Sequence, residues 1–323
     1  MSEIRVEFTR GGRTESVHRV SLVVVEGPRT RLARGDVRAP VYMRSCAKPF
    51  QSVTVLETGS ADAFKLAPPE ISVMSGSHGG EMEQVGAVRM ILWKAGLHPD
   101  TLRCGVHPPS SPKALKALYR ARQEPTVLHN NCSGKHSGMV SATKHLGAEL
   151  ETYLDSSHPL QKRNLATIAC FSGVTAKKIW LGTDGCSAPT FAIPLGAMAR
   201  AIATLASEEG PAKRVREAMM AHPAMVGRPC VNVMSAAPGR IVAKGGAEGV
   251  YLCGLVGRNI GVALKVEDGN GRAWVPALAW ALARLKLLSG SELAALRTSS
   301  DPVLRNHAGR EVGGIRVKDS RDA

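Results

Sequence analysis

Aromatic side chains, closely spaced cysteines and long apolar runs are all scarce in this sequence of 323 residues. Aromatic residues make up only 4% of the chain, which leaves few side chains on which nucleic-acid bases could stack. The seven cysteines are an odd number without a Cys-x-x-Cys pair, so a disulfide framework is not expected. Apolar stretches such as residues 22–25 and 275–282 are far shorter than the roughly 20 residues of a membrane-spanning helix. We therefore expect neither a disulfide-rich module nor a membrane protein.

Acidic residues are also in short supply, because 27 Asp and Glu face 42 Lys and Arg and leave a net charge of +15. This balance favours an anionic partner, either a nucleic acid or a small molecule. The basic residues are scattered at helix-surface spacing, as at Lys113, Lys116 and Arg120, so we expect no nucleic-acid partner. Residues 1–5 lack the basic start and apolar core of a signal peptide, and we expect a cytoplasmic protein with reduced thiols.

The composition that remains is that of a globular protein, with 44% hydrophobic and 21% charged residues. Alternating and β-branched residues predict a hairpin over 4–26 and an antiparallel meander over 240–266. The middle of the chain has helical spacing, and a last helix is predicted over 276–288. We expect an α/β fold of the α+β type: an antiparallel sheet built from both chain ends, flanking helices and a mainly helical subdomain.

The predicted domain organisation is a single catalytic unit over residues 1–323. Its sheet subdomain is expected at approximately 1–80 and 230–323, and its helical subdomain at approximately 81–229. Within this scheme Ile71 to Met74 is predicted as a strand that leads through a glycine turn into a helix. After Ser299 the pattern weakens, which predicts a loosely held tail.

A Ser-x-x-Lys pair places an amine one helical turn from a serine, where the amine can accept the seryl proton. The pair occurs three times, at Ser45/Lys48, Ser110/Lys113 and Ser141/Lys144. Ser110 precedes a proline-led surface helix and Ser141 lies in mid-helix, so both have ordinary structural explanations. Lys48 precedes an apolar helical face, and burial there would favour the neutral amine that acts as a base. An N-cap serine with a solvated lysine is the alternative for this pair.

Two further residues fit the same chemistry. Ser77 lies in a glycine-flanked turn before a helix, where its side chain could project into a cleft or could simply cap the helix. Lys244 ends a predicted strand and is followed by two glycines, an arrangement similar to the Lys-Thr-Gly strand of serine penicillin-recognising enzymes.

Cysteine thiolates provide a candidate metal site. Cys132 and Cys186, with either His136 or the amine of Lys135, could occupy most of a tetrahedral zinc site. The alternative is that both cysteines are buried and merely pack.

Five stretches of the chain together resemble the rhizobial-type (class 3, thermolabile) L-asparaginases. They are residues 44–49 (RSCAKP), 75–81 (SGSHGGE), 129–136 (HNNCSGKH), 182–187 (GTDGCS) and 243–249 (AKGGAEG). The resemblance implies a fold like that of serine β-lactamases and glutaminases, a homodimer, and hydrolysis of L-asparagine to L-aspartate and ammonia.

The same resemblance implies roles for individual residues. Two serine–lysine tandems fall on Ser45/Lys48 and Ser77/Lys244. Zinc ligands fall on Cys132, Lys135 and Cys186, and a further cysteine near the site falls on Cys230.

We hypothesise acyl transfer, in which one of the two serines attacks the side-chain amide of asparagine. Ser45, with Lys48 as base, is favoured over Ser77. Ser77 and Lys244 then relay a proton to the leaving amine, and water hydrolyses the ester. A zinc ion would orient the substrate, and the residues assigned to substrate binding are Arg44, Asp184, His136 and Cys230. Competing hypotheses are a glutaminase, a penicillin-recognising serine hydrolase, and a non-enzymatic basic or zinc-stabilised scaffold.

Overall fold

The computed structural model describes residues 3–322 and contains twelve strands and thirteen α-helices. The strands are β1 (Ile4–Arg10), β2 (Arg13–Glu26), β3 (Arg29–Arg34), β4 (Pro40–Tyr42), β5 (Trp180–Thr183), β6 (Pro189–Pro194), β7 (Ile241–Gly246), β8 (Val250–Leu255), β9 (Ile260–Val266), β10 (Leu304–Arg305), β11 (Glu311–Gly313) and β12 (Ile315–Asp319). The helices are α1 (Lys48–Glu57), α2 (Ser60–Ala63), α3 (Pro68–Met74), α4 (Met82–Lys94), α5 (Pro112–Ala121), α6 (Ser133–His145), α7 (Pro159–Ser172), α8 (Leu195–Ser207), α9 (Pro211–Ala221), α10 (Pro223–Val226), α11 (Cys230–Ala236), α12 (Trp274–Arg284) and α13 (Gly290–Ser300). None of these helices has the length and apolar character needed to cross a membrane. The prediction about the N-terminus includes Met1 and Ser2, which lie outside the described residues.

The described chain divides into two compact units. The sheet unit comprises the chain up to Cys46, Ile193–Ala206, and the chain from Asn232 onward. The helical unit comprises Ala47–Ala192 and Ser207–Val231. The division after Cys46 lies earlier than the boundary near residue 80 that the sequence predicted, because α1 and α3 pack against α6 and α9.

The sheet unit contains one large antiparallel sheet made from both ends of the chain. Its strand order is β12-β1-β2-β9-β8-β7, and β3 pairs with β2. The predicted terminal hairpin forms as β1 and β2, and the predicted meander forms as β7, β8 and β9. These observations confirm the expected α+β class with a sheet completed from both ends.

Helix α8 packs directly on this sheet through glycines. A Cβ atom added at Gly261 would lie 1.9 Å from the Ala199 carbonyl oxygen, and one at Gly254 would lie 2.7 Å from that of Ile202. The backbone of the helix therefore approaches the strands more closely than side chains would allow.

Helix α6 is the core helix of the helical unit, and its residues from Ser133 to Thr143 are all buried. A Cβ atom at Gly134 would lie 2.3 Å from the Val73 carbonyl oxygen, and one at Gly138 would lie 2.3 Å from the Met74 sulfur. Glycines four residues apart on one helix face thus let α6 approach α3 closely. This contact fixes the helix that contains Lys135 and has Cys132 at its N-cap.

The predicted strand at Ile71 to Met74 is wrong, because these residues are the end of α3. A short apolar run does not distinguish a buried strand from a buried helix. Pro68 and Pro69 occupy the first turn of α3, where proline is compatible with a helix, and Glu70 accepts the backbone N–H of Ala67.

The prediction of a loosely held tail after Ser299 is also wrong. Strand β12 pairs with β1, with Val317 opposite Val6, and forms the edge of the large sheet. The buried Asp319 accepts hydrogen bonds from the Arg34 guanidinium at 2.8 and 2.6 Å, and this bond lowers the pKa of the Asp319 carboxyl. The tail is held by a partner near the other end of the chain, which local periodicity cannot reveal.

Candidate active site

In the sheet unit, the turn that carries Ser45 packs closely on the strand that carries Lys244. Residues Arg44–Ala47 form a single 3-10 turn, and the thiol of Cys46 donates to the Lys244 carbonyl oxygen at 3.2 Å. A Cβ atom at Gly246 would lie 2.8 Å from the Met43 carbonyl oxygen. The two sequence motifs are therefore neighbours, and Gly246 is the residue that makes this approach possible.

Lys244 itself is almost fully buried, with 1% of its surface exposed, and its ammonium group donates to the Gly245 carbonyl oxygen. Arg44 is half-buried in the left-handed region at φ 49°, and its guanidinium lies 3.8 Å from the Glu248 carboxylate. Ser45 is also half-buried. This half of the predicted site thus contains one serine and two cationic side chains.

In the helical unit, Lys48 and Ser77 form a hydrogen-bonded pair. Lys48 begins α1, is 1% exposed, and donates from Nζ to Ser77 Oγ at 2.9 Å. The same Nζ donates to the carbonyl oxygens of Gly76 at 2.8 Å and Asn131 at 3.2 Å. The two carbonyls can only accept N–H groups of Lys48, whether the amine is neutral or an ammonium, and they have no proton to give back. Ser77 Oγ is therefore the one of these three partners that can exchange a proton with Lys48.

The turn around Ser77 is built rigidly. The Ser77 N–H donates to the Val226 carbonyl oxygen at 2.9 Å, and a Cβ atom at Gly227 would lie 2.3 Å from the Ser77 carbonyl oxygen. The next residue, His78, is fully buried and accepts the Gly80 N–H at Nδ1. Its Nε2 then carries the proton and donates to Ser133 Oγ at 2.9 Å, because that hydroxyl gives its own proton to a carbonyl. Burial lowers the pKa of His78 to about 3, so His78 is neutral and supports the turn.

The predicted zinc ligands Cys132, Lys135 and Cys186 come together in the helical unit. Lys135 Nζ donates to Cys186 Sγ at 3.0 Å, and Cys186 forms a hydrogen bond with Cys132. That bond, against the effect of burial, lowers the pKa of Cys132 well below its ordinary value, and the nearby Lys48 and Lys135 lower it further. Burial lowers the pKa of Lys135, but the two cysteines outweigh burial and raise it to about 12. Contacts within this buried cluster thus favour the charged forms of Cys132 and Lys135.

This donor set fits a zinc ion. Two thiols and one amine can fill three positions of a tetrahedral site, and soft thiolates favour zinc. Within residues 3–322, no group of three His, Cys, Asp or Glu side chains is placed to hold a metal, so the lysine is needed to complete the set.

His136 follows Lys135 on α6 and is fully buried. Its Nδ1 lies 2.7 Å from the hydroxyl of Tyr153, which accepts the Arg103 N–H and therefore donates to the histidine. Nε2 of His136 then carries the proton and has no hydrogen-bond partner in the described part of the chain. A buried polar atom without a partner is costly, so this N–H is available to a bound group.

The remaining predicted residues occupy the same unit. Asp184 lies in a tight turn in which its carboxylate accepts the Gly185 N–H at 2.9 Å, and it contributes to the high pKa of Lys135. Cys230 is buried at the start of α11.

A cavity of about 520 Å³ adjoins Ser77 and is formed entirely by the helical unit. Its wall includes Glu81, Lys113 and Arg228. A second cavity, of about 670 Å³, lies among residues of the sheet unit near Asp301 and contains none of the predicted site residues. The cavity beside Ser77 is therefore the better candidate for a substrate-related space.

Sequence reasoning missed several participants. The Gly76 and Asn131 carbonyls that orient Lys48 are backbone groups, which no side-chain pattern reveals. Cys46 lies inside a motif that the sequence singled out, yet its contact with Lys244 depends on a fold neighbour 198 residues away.

The chain matches known proteins in two comparisons. Solved structures of Mglu share 16% sequence identity with it: the native form covers 88% of this chain and 64% of its own, with a TM-score of 0.43. Mglu in 4.3 M NaCl covers 87% of this chain and 60% of its own, with a TM-score of 0.35. The chain thus spans less than two thirds of the length of these structures. No curated protein matches the chain.

The family model of L-asparaginase II matches residues 6–317, which is nearly the whole chain. The match includes both serine–lysine motifs, the thiol cluster and the strand of Lys244. The chain belongs to the L-asparaginase II family.

Proposed function

We propose that this protein hydrolyses L-asparagine to L-aspartate and ammonia by serine–lysine nucleophilic catalysis. The observation that carries the proposal is the position of Lys48, which is buried and bonded to two carbonyl oxygens and one serine hydroxyl. Of these three partners, only the Ser77 hydroxyl can exchange a proton with the amine.

In the first step, Ser45 Oγ attacks the side-chain amide carbon of asparagine and the neutral amine of Lys48 takes its proton. Burial of Lys48 supports this role, because loss of water favours the neutral amine. The backbone N–H of Ser45 is our candidate for stabilising the oxyanion. The N–H of Ser77 is already bonded to the Val226 carbonyl oxygen.

In the second step, the C–N bond breaks and the leaving nitrogen receives a proton from Ser77 Oγ. Lys48, now an ammonium, replaces that proton along the 2.9 Å hydrogen bond. The positive charge of Lys244 would stabilise the negative charge that develops on Ser77 Oγ while the Ser77 proton is transferred. A β-aspartyl ester on Ser45 remains, and water hydrolyses it to aspartate.

Cys132, Lys135 and Cys186 would hold the zinc ion. When bound, the ion supplies a positive centre that orients the α-amino and α-carboxylate groups of the substrate. The carboxylate of Asp184 and the guanidinium of Arg44 would bind those groups as well, and the buried His136 N–H would donate to a bound group.

The test is release of ammonia from asparagine and from glutamine by the purified protein, beside cleavage of a chromogenic β-lactam. We expect ammonia from asparagine and little from glutamine or colour from the β-lactam. Preferred cleavage of glutamine or of the β-lactam would replace the proposal with the corresponding alternative, and no cleavage of any of the three would reject a serine amidohydrolase of this type.

Elemental analysis tests the zinc assignment separately. We expect about one zinc per chain, none in Cys132→Ser, and a higher KM for asparagine in that variant. Absence of zinc from the wild type, or a loss of kcat with an unchanged KM, would contradict the orienting role.

We also infer a homodimer, as the family resemblance implies, and a reducing compartment, which the seven cysteines without disulfides support. Light scattering of the purified protein measures the first, and a monomeric mass would contradict it.

A further inference from the structure

The cavity beside Ser77 is held open by hydrogen bonds between its walls. Ser77 donates its N–H to the Val226 carbonyl oxygen at 2.9 Å, and Ser111 donates its N–H to that of Gly79 at 3.0 Å. The Gln84 amide donates to the Ala224 carbonyl oxygen at 2.8 Å. The segments that line the space are thus joined by two backbone–backbone hydrogen bonds and one from a side-chain amide, and the cavity is preformed.

The cavity is much larger than ammonia requires. Its volume is about 520 Å³, whereas a water-sized molecule occupies only about 30 Å³. A space of this size beside a group that protonates the leaving nitrogen can hold a leaving amine with a side chain of its own.

The charges at the cavity favour an anion. Lys113 and Arg228 both line it, and neither side chain forms a hydrogen bond or ion pair within residues 3–322. The one carboxylate in the wall, Glu81, accepts the Ser111 hydroxyl at 2.9 Å. The wall therefore has two cations without partners and one anion that is already bound, which suits a carboxylate ligand.

We propose that this cavity is a leaving-group site and that the enzyme also hydrolyses β-aspartyl amides whose leaving amine carries a carboxylate, such as β-aspartyl dipeptides. This inference rests on the proposed function, because it needs Ser77 to protonate the leaving nitrogen. The aspartyl part of the substrate binds as asparagine does, and Lys113 and Arg228 bind the carboxylate of the leaving amino acid.

The chemistry is that of the proposed reaction with a larger leaving group. Ser45 Oγ forms a bond to the β-carbonyl carbon, and the bond from this carbon to the nitrogen of the second amino acid breaks. Ser77 gives its proton to that nitrogen and regains one from Lys48. Water then cleaves the ester, so the products are aspartate and one free amino acid.

The same inference gives a role to the Ser110/Lys113 motif, for which the sequence suggested only a structural explanation. The Ser110/Lys113 pair lies at the start of α5, where Ser111 caps the helix, and both Ser110 and Lys113 line the cavity. The lysine in this pair serves binding, and the resemblance to the Ser45/Lys48 pair is coincidental.

The experiment measures kcat/KM for asparagine, for β-aspartyl-alanine and for its neutral C-terminal amide, β-aspartyl-alaninamide. We expect wild type to cleave the dipeptide acid at least about tenfold better than the amide, as loss of a charged hydrogen bond would predict. The double variant Lys113→Gln/Arg228→Gln should reduce this acid-to-amide ratio to near unity. Lys116→Gln, which changes an exposed lysine of the same helix outside the cavity, should leave the ratio unchanged.

Each outcome decides between the two proposals. Three outcomes would overturn this inference alone. They are cleavage of asparagine without cleavage of the dipeptide, equal cleavage of acid and amide by wild type, and an unchanged acid-to-amide ratio in the double variant. Cleavage of the dipeptide without asparagine would overturn the proposed substrate and support the leaving-group site.

Discussion

The two halves of the predicted site are held in place by different means. In the sheet unit, the turn of Ser45 meets the strand of Lys244 through backbone atoms, and Gly246 leaves no room for a methyl group. In the helical unit, Lys48, Ser77 and the thiol cluster are held by buried hydrogen bonds and opposite charges. The geometry of the first half should thus be disturbed by a substitution that adds an atom, and that of the second by a substitution that removes a hydrogen-bond or charge partner.

This difference has a physical reason. Serine needs only to be placed where its oxygen can attack, and close packing of backbone is sufficient for placement. A lysine that moves protons needs acceptors of defined number and kind, because they decide where the proton goes. Each half should therefore respond most strongly to a different kind of substitution.

The largest effect is expected for Lys48→Met, which removes the proposed proton carrier of the helical half. We expect kcat for asparagine to fall by about 10³-fold, within the range of general-base catalysis. Lys144→Met is the matched control, because Lys144 also follows a serine by three residues but is exposed and donates only to the Gly96 carbonyl oxygen. Steady-state kinetics on variants that still unfold cooperatively provide the measurement. A Lys48→Met enzyme with more than a tenth of wild-type kcat would show that this amine is not the base.

A smaller and more selective effect is expected for Ser77→Ala. Loss of the proposed proton donor should slow asparagine hydrolysis by about 10²-fold, but it should hardly affect a β-aspartyl aryl ester, whose leaving group needs no proton. Ser141→Ala, which removes a buried hydroxyl bonded only to the Gly138 carbonyl oxygen, should treat both substrates alike. Equal slowing of amide and ester by Ser77→Ala would mean that Ser77 is not the donor to the leaving group.

For the sheet half, Gly246→Ala should displace the Ser45 turn, because the new Cβ would lie 2.8 Å from the Met43 carbonyl oxygen. We expect kcat to fall by about 10- to 100-fold, since a displacement near 1 Å has effects of this size. Unfolding in urea should show a loss of about 1–3 kcal/mol from overpacking. Gly86→Ala is the control, because a Cβ atom there would meet no atom within 4 Å. Its free energy of unfolding should exceed that of wild type by about 0.5–1 kcal/mol, since alanine favours a helix over glycine. Wild-type kcat in Gly246→Ala would show that the position of the Ser45 turn does not depend on close packing at Gly246.

The smallest effect concerns pH and the histidine behind Ser77. Burial lowers the pKa of His78 to about 3, whereas the unfolded chain has a value near 6.5. Between pH 6.5 and pH 3 the unfolded chain therefore binds a proton at this histidine that the folded protein does not bind. The free energy of unfolding decreases as pH falls through this range. By pH 5 this loss amounts to about 2 kcal/mol from His78 alone. Urea unfolding of wild type and His78→Gln at pH 7 and pH 5 measures this loss. If the free energy of unfolding fell by the same amount in both proteins, the loss could not be assigned to His78.

The sequence was informative where local pattern decides the structure. Alternating residues located the terminal hairpin and the meander. Pattern failed at Ile71 to Met74, where a short buried run has no readable period, and at β12, which is defined by pairing with β1. It also paired Lys48 with Ser45 alone, because spacing along the chain cannot show that Ser77 and two carbonyls surround the amine.

The central claim is that Ser45 forms the covalent intermediate while Lys48 and Ser77 carry the proton. Rapid acid quenching of the enzyme during turnover of a β-aspartyl aryl ester, followed by peptide mapping in a mass spectrometer, tests it most directly. We predict a β-aspartyl adduct on the peptide that contains Ser45, in wild type and in Ser77→Ala, and none in Ser45→Ala. An adduct on Ser77, or continued turnover by Ser45→Ala without any adduct, would contradict the account.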